Sequence, residues 1–185
     1  MTSNPEWGPG LWDDEPDELA WQDARTGLQC KIKRHLEWGQ LNGYVGVPPG
    51  HPLFGWDYDD DIRLDPELLQ QGSIDSISIF SLFTYSKEEY NHGTIPVDLA
   101  LQVHGGLSWS AEEEGLWWFG FDCGHAQDLS PGLQSFLRGI GSGHLGRNQT
   151  YRTISYVKQQ CRDLAFQLKR LEAAKELTAV MEWHP

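Results

Sequence analysis

No lysine or arginine occurs before Arg25, no two cysteines stand in a CxxC pair, and no apolar run reaches the roughly 18 to 20 residues of a membrane span. Each absence excludes something. A secretory signal needs a basic start and an apolar core, whereas seven acids precede Arg25, so the expected location is cytoplasmic. Cys30, Cys123 and Cys161 are an odd set without zinc-knuckle spacing, which predicts reduced thiols in apolar positions. Basic charge is scarce throughout: 14 Lys and Arg against 27 Asp and Glu give a formal net charge of -13. A long nucleic acid, which is bound through many cationic contacts to phosphate, is a poor partner for such a chain. A small anionic ligand is not excluded, because the acids concentrate before Arg25 and between Asp57 and Asp65. Asn148-Gln149-Thr150 fits a glycosylation acceptor, but without an export signal the match carries no weight.

Aromatic residues and glycine are abundant, with nine tryptophans and 20 glycines in 185 residues, at a mean hydropathy of -0.51. Large aromatic side chains supply a core, and the glycines predict much loop. The organisation expected is an acidic, Trp- and Pro-rich tail over 1–26, one α+β domain over 27–178 and a short tail over 179–185. The fold expected is a mostly antiparallel sheet of about five strands packed against a long C-terminal helix. Leu28, Cys30 and Ile32 alternate with Lys31 and Lys33 as a half-buried strand does, and Tyr44 to Val47 follows as its partner. Ile77 to Phe83, Leu99 to His104 and Leu116 to Phe121 supply three more strands, with Ala111 to Gly115 as a hairpin loop between the last two. Pro66 to Leu69 suggests one helical turn, and a glycine-rich loop is expected from Gly132 to Gly146. Ile154, Val157, Cys161, Leu164, Leu168 and Leu171 then recur at steps of three and four, the stripe of a long helix that Thr150 can cap.

The chemistry concentrates at two strand ends. His104 opens His-Gly-Gly-Leu, and Asp122, His125 and Asp128 follow Leu116 to Phe121. On a helix Asp128 would rotate away from the other two, so a shared site needs a turn, which Gly120 and Gly124 permit. His104, Asp122, His125 and Asp128 are a credible ligand set for Zn²⁺, Mn²⁺ or Mg²⁺, whose bound water becomes hydroxide near neutral pH. A metal-free alternative uses His104 or His125 as general acid and base on a phosphodiester, with a carboxylate fixing the tautomer, and Asp128 is counted among the catalytic candidates. His51, held in Gly50-His51-Pro52, is a further catalytic candidate. Ligand-binding candidates are Arg34 on the first strand, Trp109 and Trp118 for stacking, and Arg138, His144, Arg147 and Arg152 around the glycine loop. Gly141 to Gly146 matches GxGxxG, but no βαβ unit precedes it, which leaves at most a phosphate-binding nest.

Asn42-Gly43-Tyr44-Val45-Gly46-Val47-Pro48 with Gly50-His51-Pro52, Val103-His104-Gly105-Gly106-Leu107, Trp117 through Asp128, and Tyr151-Arg152 with Tyr156-Val157 together resemble a largely uncharacterised family from bacteriophages, prophages and actinobacteria. The resemblance covers residues 28 to 171 and names no reaction. Its phage setting implies an accessory role in counter-defence, in which cyclic-nucleotide immune messengers are cleaved or sequestered. Three functions are therefore expected in competition: a nucleotide hydrolase at the His/Asp cluster, a non-catalytic nucleotide sponge, and an acidic protein that binds a host protein. A homo-oligomer is an expected assembly, and a membrane partner is not expected.

Overall fold

The computed structural model describes residues 5–63, 94–142 and 148–173. Five strands form one antiparallel sheet: β1 (Glu18–Gln22), β2 (Gln29–Arg34), β3 (Leu41–Val47), β6 (Trp109–Glu113) and β7 (Leu116–Asp122), in the order β1-β2-β3-β7-β6. A small two-stranded sheet pairs β4 (Asp61–Arg63) with β5 (Thr94–Pro96). The helices are α1 (Val97–Ala100), α2 (Pro131–Gly139) and α3 (Ile154–Ala173). The expected α+β architecture is the one formed, with α3 lying across β2 and β3.

Register explains the core. Cys30 pairs with Val45 and Val45 with Phe119, while Ile32 pairs with Gly43 and Gly43 with Phe121, so these side chains share one sheet face. The α3 stripe closes on that face: Val157, Cys161, Leu164 and Leu168 are fully buried, and Ile154 and Leu171 pack at its ends. Gly43 is decisive for the approach of the helix, because a methyl there would overlap the Phe121 ring and crowd Cys161. β3 begins at Leu41, three residues ahead of its expected start at Tyr44. Removing either Phe119 or Phe121 to alanine would cost about 3–5 kcal/mol by the usual cavity penalty. Burial pushes the Cys30 thiol up to about 12 and raises those of Cys123 and Cys161, which keeps all three protonated and unreactive.

Several expectations are corrected. Residues 18–22, inside the expected tail, form the edge strand β1, and Trp7 is buried against Gly39 and Gly132. Two cations on or near the α3 side fix this segment, Lys158 over the Trp21 ring at 5.2 Å and Arg25 over Phe166 at 3.7 Å. Leu99–His104 is not a strand: Val97, Ala100 and Leu101 bury at helical spacing, and the chain then loops to β6. Ala111–Glu113 belongs to β6, and the turn shrinks to Glu114 and Gly115, whose φ values of 55° and 74° suit a two-residue hairpin. Pro131 to Gly139 is helical, with proline in the first turn where its missing N–H costs nothing. Thr153, not Thr150, caps α3 by accepting the Tyr156 N–H at 3.4 Å, while Thr150 bridges to Asp128. The strand expected over Ile77–Phe83, the turn over Pro66–Leu69 and the 179–185 tail lie outside the described residues. Among the described residues, no helix is long and apolar enough to cross a membrane.

Candidate functional site

Two loops meet at Asp128. After β7 the chain turns through Cys123 and Gly124, and the Asp128 N–H donates to the His125 carbonyl at 2.8 Å, which closes the turn. The His104 loop comes from the opposite direction, between α1 and β6, and reverses at Gly105 and Gly106 with φ of 71° and 90°. A methyl on Gly105 would overlap the His125 imidazole, so this glycine allows the two loops to press together. The rings of His104 and His125 meet edge to face with centroids 5.4 Å apart.

Asp128 is 2% exposed, and both its oxygens are engaged. Oδ2 lies 2.7 Å from His104 Nε2 and 3.3 Å from His125 Nδ1, and it accepts the His125 backbone N–H at 3.2 Å. Oδ1 accepts Arg152 Nε at 2.7 Å. Burial by itself would raise the Asp128 carboxyl, but hydrogen bonds from His104 and Arg152 outweigh it and hold the group below its ordinary 3.8. An ionised carboxylate can only accept, so His104 Nε2 and His125 Nδ1 are the protonated nitrogens. One carboxylate thereby sets two tautomers.

The two imidazoles then differ. In neutral His104, Nδ1 accepts from the Tyr156 hydroxyl at 2.9 Å, and the His104 backbone N–H donates to Gln160 Oε1 at 2.9 Å. Both ring nitrogens of His104 are thus occupied. The His125 side chain is 41% exposed, and among the described residues its Nε2 takes no hydrogen bond. Beside it stands Arg152, whose charge Asp128 reinforces and whose guanidinium lies 5.0 Å from the Tyr156 ring centroid. Arg152 uses Nε on Asp128, and its two Nη nitrogens have no hydrogen bond among the described residues. The result is an oriented imidazole and a fixed cation, both part-exposed and both held by one carboxylate.

Ligand atoms of His104, His125 and Asp128 all lie within 4.8 Å of one another, a group that could hold a metal ion. Asp122 stands beside this trio without joining it. Its Oδ1 accepts the Gly124 N–H at 2.9 Å, its Oδ2 accepts the Ser108 hydroxyl at 3.1 Å, and His125 Nδ1 is 3.9 Å away. No family model matches the chain, and the comparisons with curated proteins and with solved structures give no match.

The other candidates are not brought to this point. His51 is 4% exposed, accepts the Leu53 N–H at Nδ1 and donates from Nε2 to the Leu168 carbonyl at 3.0 Å, which makes it a strut between the β3 exit and α3. Arg34 is consumed by Asp17, Tyr151 and the Gly39 carbonyl. Trp118 is buried with Lys31 3.9 Å over its ring, and its indole N–H donates to the Glu113 carbonyl. Trp109 is 39% exposed and rests edge-on against Tyr44 on the sheet face opposite α3. Arg138 donates to Gln134 within α2, and His144 and Arg147 lie outside the described residues. Sequence reasoning singled out neither Tyr156 nor Gln160 for a role at the site. Their signal is helical spacing, since Tyr156 and Gln160 stand four residues apart on one side of α3, just after Arg152 in the chain.

Proposed function

We propose that the protein binds a small phosphate-bearing anion and hydrolyses a phosphoester in it, with His125 as general acid and base and Arg152 as the anion anchor. The observation that carries this reading is that one buried, ionised Asp128 carboxylate holds both the exposed His125, whose Nε2 has no hydrogen bond among the described residues, and Arg152, whose Nη donors are unspent. A carboxylate that fixes the tautomer leaves the outer nitrogen able to take a proton from water or deliver one to a leaving oxygen. Arg152 presents a planar fork suited to phosphate. The substrate class we favour is a nucleotide messenger, linear or cyclic, in keeping with the motif resemblance to phage and prophage proteins and a counter-defence role.

A second reading follows from the three convergent ligand atoms. Zinc or another divalent ion would take the place of the protons shared by His104, His125 and Asp128, after the ring nitrogens draw in to the roughly 2.0–2.2 Å of a coordinate bond. One experiment separates the readings: a panel of linear and cyclic nucleotides is incubated with purified protein in a chelator and, separately, in Zn²⁺, Mn²⁺ or Mg²⁺. The acid–base mechanism predicts cleavage in chelator that His125→Ala reduces about a hundredfold. Cleavage only with added ion selects the metal reading. Recovery of bound but unchanged nucleotide after heat denaturation selects sequestration, and absence of both binding and cleavage defeats the proposal.

A further inference from the structure

His104 takes no direct part in the acid–base chemistry just described, yet it is the better-supported imidazole. The Asp128 carboxylate lies 2.7 Å from its Nε2, and on the opposite side of the ring Nδ1 lies 2.9 Å from the Tyr156 hydroxyl. Carboxylate, imidazole and hydroxyl stand in line, the order in which a base backed by an acid activates a nucleophile. The line also runs from inside to outside. Asp128 is buried, the His104 side chain is 14% exposed, and Tyr156 is partly exposed at the end, stacked edge-on to His104 at 5.5 Å. Arg152, in the segment leading into α3, puts a permanent cation 5.0 Å from the phenol ring, where an attacked phosphoryl group would need its charge met. The Gln160 side chain holds the His104 backbone from the next turn, so the base and the hydroxyl are positioned by the same helix.

We infer that Tyr156 is a nucleophile primed by the His104–Asp128 pair. Its application to a phosphoester rests on the reading above, and it makes hydrolysis a two-step exchange. In the first step, with His125 entering as the imidazolium, Tyr156 Oη bonds to phosphorus, the bond to the leaving oxygen breaks, the phenol proton passes to His104 Nδ1, and the leaving oxygen takes the Nε2 proton of His125, which is left neutral to receive the proton of water in the next step. In the second, water attacks phosphorus and gives a proton to His125 Nε2, the bond to Oη breaks, and Oη recovers its proton from His104. Two imidazoles on one carboxylate then have separate tasks, one serving the tyrosine and the other serving the leaving group and water.

The test uses an arylsulfonyl fluoride, which transfers its sulfonyl group to an activated phenol with loss of fluoride and requires no knowledge of the substrate. Peptide mass spectrometry of the full chain should find the adduct on Tyr156, well ahead of the partly buried Tyr44 and Tyr58. His104→Ala and Asp128→Asn should each slow labelling of Tyr156 about a hundredfold. Tyr156→Phe keeps the ring against His104 and should abolish the adduct while leaving the thermal midpoint close to that of the native protein. A second arm uses bis(4-nitrophenyl) phosphate with His125→Ala, in which an aryl phosphoryl group should accumulate on Tyr156 because the water step has lost its base. Labelling spread evenly over Tyr44, Tyr58 and Tyr156, or a Tyr156 rate indifferent to His104→Ala, overturns the inference. Diester turnover that Tyr156→Phe leaves unchanged also overturns it while sparing the phosphoester reading. Selective, His104-dependent labelling without any phosphoester cleavage does the reverse.

Discussion

Arg34 and Asp128 are each a charge withdrawn from water and gripped by several partners, but the two networks terminate differently. Arg34, 7% exposed, donates to Asp17 Oδ1 at 2.7 Å, the Gly39 carbonyl at 3.0 Å and Tyr151 Oη at 2.7 Å, with Glu15 Oε2 3.5 Å from Nη2. Tyr151 donates onward to Glu15, and the other Glu15 oxygen accepts the Ile154 N–H at the start of α3. Its branches run to the Gly39 carbonyl, the Ile154 amide and the part-buried acids Asp17 and Glu15, and Nη2, which has no hydrogen bond among the described residues, is itself shut off from solvent. The Asp128 network ends instead at His125 Nε2 and the Arg152 Nη groups, which have valence to spare. Burial and charge are common to both, so neither property marks a working site; an unfinished hydrogen-bonding inventory at the rim does. The two networks are neighbours in sequence through Tyr151 and Arg152, so one stretch of chain serves a sealed structural joint and an open chemical one.

The contrast can be broken most sharply at its open end. Asp128→Asn preserves shape but removes the charge that fixes both tautomers and pairs Arg152, and nucleotide turnover should fall about a thousandfold, or roughly 4 kcal/mol of barrier. Turnover within threefold of native would show that Asp128 is as structural as Arg34. At the closed end, Arg34→Leu removes the cation that Asp17, Glu15, the Gly39 carbonyl and Tyr151 share and should destabilise the fold by about 3 kcal/mol. At about 2–4 °C per kcal/mol, the thermal midpoint should drop by roughly 6–12 °C with kcat per folded molecule unchanged. Arg34→Lys should rescue little, because one ammonium cannot reproduce the fork that reaches Asp17, Gly39 and Tyr151 together. A loss of kcat at constant stability would dissolve the distinction.

A milder probe is Gly105→Ala, which forces a side chain into φ of 71° at about 1–2 kcal/mol and pushes against the His125 ring. Turnover should fall about tenfold, more than the stability loss explains. The smallest effect is on pH dependence. The folded Asp128 carboxyl titrates below 3.8, so its stabilisation is complete above that pH and is lost as pH falls through the folded value. Burial comes first in depressing His51 below 6.5, so its contribution is complete above 6.5 and erodes as pH falls toward the folded value. The thermal midpoint should therefore decline in two stages, and His51→Gln should flatten the upper one alone. A native midpoint that stays level from pH 7 to 5 would contradict a buried neutral His51.

β2, β3, β7 and α3 were legible because each keeps a single period over enough residues to show it. β1 was not: its alternation lasts five residues and sits among Pro16 and acids that suggest a solvated tail. The error at Leu99–His104 has a physical cause, since a short apolar run fits either period and only Val97, Ala100 and Leu101 at steps of three and one reveal the helical turn. At the site, the convergence of His104, His125 and Asp128 was readable from the glycines that let the loops close. Arg152 was readable as a cation near the glycine loop, though not as the partner of Asp128. Asp122 misled because a carboxylate after a strand serves equally well as a turn cap, and that is its use here. His51 misled for the opposite reason, as its prolines hold the ring inward to the Leu168 carbonyl.

The bond from Glu15 to the Ile154 amide joins residues 139 positions apart. A newly made chain must therefore complete most of its length before this clasp can shut, and the helix bearing Tyr156, with Arg152 just ahead of it, is seated only when early and late segments find each other. Such long-range closure slows assembly and ties the geometry of the candidate site to the last stage of folding.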